Sequence, residues 1–175
     1  MLVYQIRVQA MGDNEFINSE VSAYISPKDV IKLDKTTVFV DKGILNWKVN
    51  NNANGYLVSI SGVNFYVYDE NNELVEDGAT KEYEVSVSGQ TSIDLSSDIT
   101  TTTGKKIKLA TGEYSVQIKC IGTNKTYLNS DFTDIVRVRK LATVQNVRVE
   151  NGKISWDKVA SADASNGLLL FIKLP

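Results

Sequence analysis

Gly112-Glu-Tyr-Ser-Val-Gln-Ile-Lys-Cys-Ile-Gly122 alternates without a break. Tyr114, Val116, Ile118 and Cys120 share one parity, and Ser115, Gln117 and Lys119 take the other. Successive side chains of a strand point to opposite faces, so this is a half-buried β-strand that opens on an aromatic residue. The pattern occurs a second time. Residues 4–12 read Tyr-Gln-Ile-Arg-Val-Gln-Ala-Met-Gly, with Tyr4, Ile6, Val8 and Ala10 on one parity and Gly12 closing the run.

Around it the same period of two persists. Val38 and Val40 precede an Asp41-Lys42-Gly43 hairpin turn, after which Leu45, Trp47 and Val49 point to one side. Tyr56, Val58 and Ile60 predict the next strand, and Val63, Phe65 and Val67 another. A turn at Asp69–Asn72 leads back through Leu74-Val75, and further strands follow at Tyr83–Val87, Ile93–Leu95 and Phe132 to about Arg139. No helical stripe is sustained, and turn signals recur every 8–12 residues or so, as in antiparallel sandwiches.

After Leu141 the pattern restarts. Val147, Val149, Asn151-Gly152, Ile154 and Trp156 follow Val38, Val40, Lys42-Gly43, Leu45 and Trp47 at an offset of 109, and Asn166-Gly167 sits where Asn54-Gly55 sat, at an offset of 112. Tyr4 and Tyr114 are 110 apart, and Asn18-Ser-Glu-Val21 matches Asn129-Ser-Asp-Phe132. Matches at nearly one spacing predict a tandem repeat. Residues 1–35 read as the last strands of one unit plus a linker (Ser26–Lys35, with Pro27), 36–141 as a whole unit, and 142–175 as the first strands of a third. On this reading the chain starts inside a larger protein.

Leu45-Asn-Trp47, Asn54-Gly-Tyr56-Leu-Val58, Leu109-Ala-Thr-Gly112-Glu-Tyr114 and Asn129-Ser-Asp131-Phe132 together resemble a fibronectin type III-like domain of the kind repeated in bacterial cell-surface and secreted proteins. The resemblance implies an all-β antiparallel sandwich with one complete unit flanked by two partial ones. It also implies a tyrosine corner at Tyr114 and an extracellular or cell-surface location. Its implied role is a non-catalytic spacer or adhesion module. Two alternatives stand beside it: an accessory, carbohydrate-binding region of a large extracellular polysaccharide-active enzyme, and a phage or virion fibre module. The long 62–90 region and Leu168, which stands where Tyr56 would be, depart from the pattern.

Composition narrows the chemistry. With 19 basic and 21 acidic residues among 175, the net charge of −2 does not suit nucleic acid. No apolar run nears the ~20 residues of a membrane helix, so membrane insertion is not expected. Without histidine the usual general base and commonest metal ligand are missing, and one cysteine cannot form an internal disulfide. No catalytic residue, cofactor site or metal site is expected.

Trp47 and Trp156 are sugar platforms or core; the inward Leu45 and Ile154 favour core. Tyr114 is expected to bond backbone near the preceding corner, and Cys120 to be a buried, inert thiol. Asp69, Glu70, Glu73, Glu76 and Asp77 lack the order of a calcium loop and read as a solvated turn. Thr100–Thr103 reads as a flexible loop, and Arg137, Arg139 and Lys140 as protection of a sheet edge. Asn124-Lys125-Thr126 is a formal glycosylation sequon. Binding of carbohydrate or protein is expected in end loops: Asn50–Asn54, Ser61–Val63 and Gly122–Tyr127. Asn50, Asn54, Asn124 and Tyr127 are the candidate ligand residues. Unpaired edges in the partial units predict contacts with adjacent repeats or self-association.

Overall fold

The computed structural model describes residues 5–24, 31–123 and 126–160. Tyr4, Pro27, Asn124, Lys125, Asn166-Gly167 and Leu168 lie outside them. The described residues form strands and no helix: β1 (Ile31–Lys32), β2 (Val38–Asp41), β3 (Ile44–Trp47), β4 (Gly55–Tyr68), β5 (Leu74–Val87), β6 (Ser92–Asp94), β7 (Ile99–Thr100), β8 (Lys106–Leu109), β9 (Gly112–Ile121), β10 (Tyr127–Leu128), β11 (Val136–Lys140), β12 (Arg148–Glu150) and β13 (Lys153–Ser155).

Two antiparallel sheets enclose one core, which makes the chain's central part a β-sandwich. One sheet runs β2-β3-β6. The other runs β11-β9-β4-β8-β7, with β5 on the remaining flank of β4. Leu45 and Trp47 from the first sheet pack with Val58, Ile60, Val116, Ile118 and Cys120 from the second. These are the inward parities of each strand, so alternation in sequence becomes a dry layer between sheets.

β4 is the organising strand. Its first half pairs with β9 from Gly55↔Ile121 to Gly62↔Tyr114. Its second half pairs with β8 from Phe65↔Leu109 to Val67↔Ile107. The sequence predicts two strands here; the structure has one, bulged at Asn64. Val63 faces Thr80 and Phe65 faces Asp77, so Gly78 and Ala79 both lie opposite Asn64, whose φ is 68°. An extra residue on one side flips the facing parity. Tyr56, Val58 and Ile60 are buried before the bulge, and Phe65 and Val67 after it. Val63, expected to point inward with Phe65, is exposed, and so is Val49 beyond Trp47.

Other stretches also differ from expectation. Ile31–Lys32 pairs in parallel with β10, and Leu33 is buried in the core, although 26–35 reads as linker. Thr100–Thr103 is a bonded turn rather than a flexible loop. Thr101 is buried, its N–H donates to the Lys105 carbonyl at 2.9 Å, and its hydroxyl accepts from the Lys105 N–H at 3.1 Å. The last strand starts at Val136; residues 129–135 run beside β9 through hydroxyl contacts instead.

Those contacts occur twice. Ser130 N–H donates to the Cys120 carbonyl at 3.0 Å and Thr133 N–H to the Ile118 carbonyl at 2.9 Å. In return Cys120 N–H donates to Ser130 Oγ at 2.9 Å, Ile118 N–H to Thr133 Oγ1 at 3.0 Å, and Gly122 N–H to Asn129 Oδ1 at 2.9 Å. Residues 8–22 make the same five bonds. Ser19 and Ser22 N–H donate to the carbonyls of Ala10 and Val8 at 3.0 and 2.9 Å. Ala10 and Val8 N–H donate to the Ser19 and Ser22 hydroxyls at 3.0 Å each, and Gly12 N–H to Asn18 Oδ1 at 2.8 Å. Each hydroxyl satisfies an amide that the strand ladder leaves unpaired. Both turns also need glycine. A Cβ on Gly122 would stand 2.1 Å from the Tyr127 carbonyl oxygen, and one on Gly12 2.2 Å from that of Phe16.

The hairpin β12–β13 likewise has the register of β2–β3. Val149↔Ile154 and Glu150↔Lys153 correspond to Val40↔Leu45 and Asp41↔Ile44. Lys42-Gly43 has φ values of 48° and 82°, and Asn151-Gly152 of 50° and 72°. Two successive positive φ angles are the signature of the type I′ turn that matches strand twist.

Candidate functional site

Of the candidate ligand residues, Asn50, Asn54 and Tyr127 fall at one end of the sandwich, where the β3–β4 loop meets the end of β9. Asn54 N–H donates to the Ile121 carbonyl at 2.7 Å, so the 50–54 loop lies beside the end of β9. Asn50 holds the loop together. Its N–H donates to Tyr56 Oη at 2.8 Å, its Nδ2 to the Asp34 carbonyl at 3.3 Å, and its Oδ1 accepts from Asn52 N–H at 3.1 Å. Asn54 is exposed and its side chain faces solvent. Tyr127 is partly buried against the core. Asn124 is outside the described residues. A shallow depression lined by Asn50, Asn51, Ala53, Gly89, Gln90 and Thr91 lies beside the loop. Its surface mixes amide and hydroxyl groups with apolar side chains, Val49 and Ala53 among them.

Ser61–Val63, the third expected loop, is strand. Gly62 lies under Tyr114: a Cβ there would come 2.5 Å from the Tyr114 ring. A glycine inside an alternating strand is the sequence signal for such close approach. Arg139 pairs with Glu113 across β9 and β11, and this guanidinium lowers the Glu113 pKa.

Trp47 is 4% exposed and meets Tyr56 edge to face at 5.4 Å, so it is core and not a platform. Trp156 is 40% exposed. Tyr114 Oη donates toward the Ala110 carbonyl at 2.8 Å and the Asn64 carbonyl at 2.6 Å. Cys120 is fully buried, and burial pushes its thiol pKa up, away from the reactive thiolate. Asp69 Oδ1 accepts from the N–H groups of Asn71 and Glu73 at 2.9 and 2.8 Å, and Asp77 pairs with Lys81. These carboxylates therefore brace the β4–β5 turn and its bulge. Among the described residues no group of three or more His, Cys, Asp or Glu is placed to hold a metal ion.

Neither a family model, nor a curated protein, nor a solved structure matches the chain.

Proposed function

We propose that the chain is a run of fibronectin type III-like units acting as a non-catalytic spacer in a bacterial surface or secreted protein. The recurrence of five hydrogen bonds, two between backbone groups and three from backbone N–H to side-chain oxygen, between 8–22 and 118–133 carries this reading. Support also comes from the three-stranded sheet facing β5-β4-β9-β11, from the buried tryptophan on β3 and from the Tyr114 corner. The long β4–β5 hairpin and β7–β8 are additions to that plan.

Chain direction favours a spacer. Ile31 begins the central unit beside Tyr127, near the Gly122 end of β9, while Lys140 ends it beside Gly112. Ten strand residues separate those ends by about 30 Å, so successive units string end to end. Pulling single molecules tests this directly. Unfolding residues 31–140, about 110 residues at ~3.4 Å each less the folded ~30 Å, releases about 340 Å in one event. Smooth lengthening without a force peak would rule out a load-bearing unit.

A second reading, adhesion, rests on the contact of the 50–54 loop with Ile121 and the mixed polar and apolar depression beside it. Glycan and protein arrays probed with the chain and with Asn54→Ala test it: a hit lost on substitution supports adhesion, and silence leaves the spacer.

A further inference from the structure

On the outer face of β5-β4-β9-β11 the facing residues stand in rows. Ser61 is opposite Ser115 and Ser115 opposite Arg137; in the next row Val63 is opposite Thr80, and Glu113 opposite Arg139. Side chains two apart on a strand share a face, so both arginines of β11 rise on the same side as the two serines. Short side chains flanked by long ones leave a groove of about 430 Å³, lined among others by Ser61, Val63, Thr80, Ser115, Arg137 and Arg139, with Glu113 beside them. Ligand sites typically occupy ~300–1,000 Å³. The groove lies within the central unit, at the Gly112 end of β9, whereas the 50–54 loop meets β9 at Ile121.

We propose that this groove binds an acidic sugar, with the carboxylate of a uronic acid residue on Arg137. The site adds a ligand to the spacer role and does not depend on the chain being a repeat. Arg139 is already paired with Glu113, whereas Arg137 has no ion-pair or hydrogen-bond partner among the described residues. A free guanidinium takes a carboxylate through two parallel N–H bonds. Glu113 decides what kind of carboxylate fits. The Arg139 guanidinium lowers its pKa, so at neutral pH it only accepts hydrogen bonds, while Ser61, Ser115 and Thr80 offer hydroxyls that donate or accept. A ligand filling the groove therefore needs donors next to its anion. Sugar hydroxyls are such donors; an acidic side chain carries acceptors alone. Val63, 47% exposed, gives the C–H face of a sugar ring an apolar wall. Protection of the β11 edge accounts for charge on that strand, but not for its standing over a hydroxyl-floored groove.

NMR titration of the labelled full chain tests this with oligomers of galacturonate and of glucuronate, the methyl ester of the galacturonate oligomer, and tetraglutamate. At least one uronate oligomer should shift the Ser61, Thr80 and Ser115 amides saturably. The ester, which keeps every hydroxyl but loses the charge, should bind the wild-type chain at least about tenfold more weakly, as expected for one lost charge-assisted hydrogen bond. Arg137→Ala should weaken the uronate by a similar factor while amides away from the groove keep their positions. Tetraglutamate should bind more weakly than the uronates. No saturable shift with either oligomer, shifts confined to 50–54, an ester that binds as tightly as the acid, or full affinity in Arg137→Ala overturns the proposal. Tetraglutamate binding as tightly as the uronates also overturns it, and would assign the groove to acidic peptides instead.

Discussion

Replacing Tyr114 by Phe removes one hydroxyl and nothing else. The ring keeps its edge-to-face contact with Phe65 at 5.2 Å and remains 1% exposed, so packing is conserved. What is lost is the proton aimed at the Ala110 and Asn64 carbonyls. Asn64's carbonyl retains the Ala110 N–H at 3.3 Å, whereas Ala110's loses its tyrosine donor inside the corner. A lost hydrogen bond costs ~1 kcal/mol net, and leaving a buried acceptor short raises this toward ~3, so about 2 kcal/mol is expected. For a unit of about 110 residues that lowers Tm by about 9 °C. Calorimetry or near-UV circular dichroism at neutral pH reads it. Alkaline titration adds an independent arm. Burial pushes the Tyr114 pKa up to about 12 from 10.0. The folded value lies above the unfolded one, so the stabilisation is complete below pH 10 and is lost as pH rises toward 12. The gap between wild type and Tyr114→Phe should therefore narrow across that window. A variant melting within about 2 °C of wild type, or a gap that widens from pH 10 to 12, refutes the corner as a bonded, buried element.

Three further outcomes follow from the same core. Trp47→Ala should cost about 3–5 kcal/mol in chemical denaturation, since the side chain is 4% exposed; an unchanged midpoint would remove it from the core. Gly62→Ala should cost about 1–3 kcal/mol because its Cβ strikes the Tyr114 ring at 2.5 Å and the Glu113 carbonyl at 2.9 Å, and a stabilised variant would show that the bulge yields freely. Asp94 accepts from the hydroxyls of Ser96 and Ser97 at 2.6 Å each and from the Ser96 N–H at 2.8 Å, which pulls its pKa from 3.8 down to about 2. Its contribution is whole above the unfolded value and is lost as pH falls through that interval, so Asp94→Asn should flatten the acid limb between pH 4 and 2. An acid limb as steep in the variant as in wild type would discard the role given to the Asp94 hydrogen bonds.

Much of the fold was legible because sheet burial follows a period of two. Tyr114, Ile118 and Cys120 on one side, and Leu45 and Trp47 on the other, are buried as their parity implies. Lys42-Gly43 and Asn151-Gly152 form the hairpins their side chains favour. The bulge was not legible. Gly78 and Ala79 of β5 stand opposite the single Asn64, and nothing in Gly-Val-Asn-Phe announces the change in which parity faces in. β8 is only four residues long, too short for a period to stand out, and Leu33 sits between Lys32 and Asp34 in a stretch too short to show a period. At the candidate site, sequence marks polar loop residues but not where their polar atoms go. Asn50 looked available for a ligand, yet its amide and N–H groups hold the loop to Tyr56 and Asp34.

The account stands on 5–24 being built like 115–135. Scalar couplings across hydrogen bonds, measured by NMR on the labelled chain, observe this bond by bond. The expected spectrum pairs Ser19 N–H with the Ala10 carbonyl and Ser22 N–H with that of Val8, alongside Ser130 with Cys120 and Thr133 with Ile118. Correlations for the second set with none for the first would contradict it.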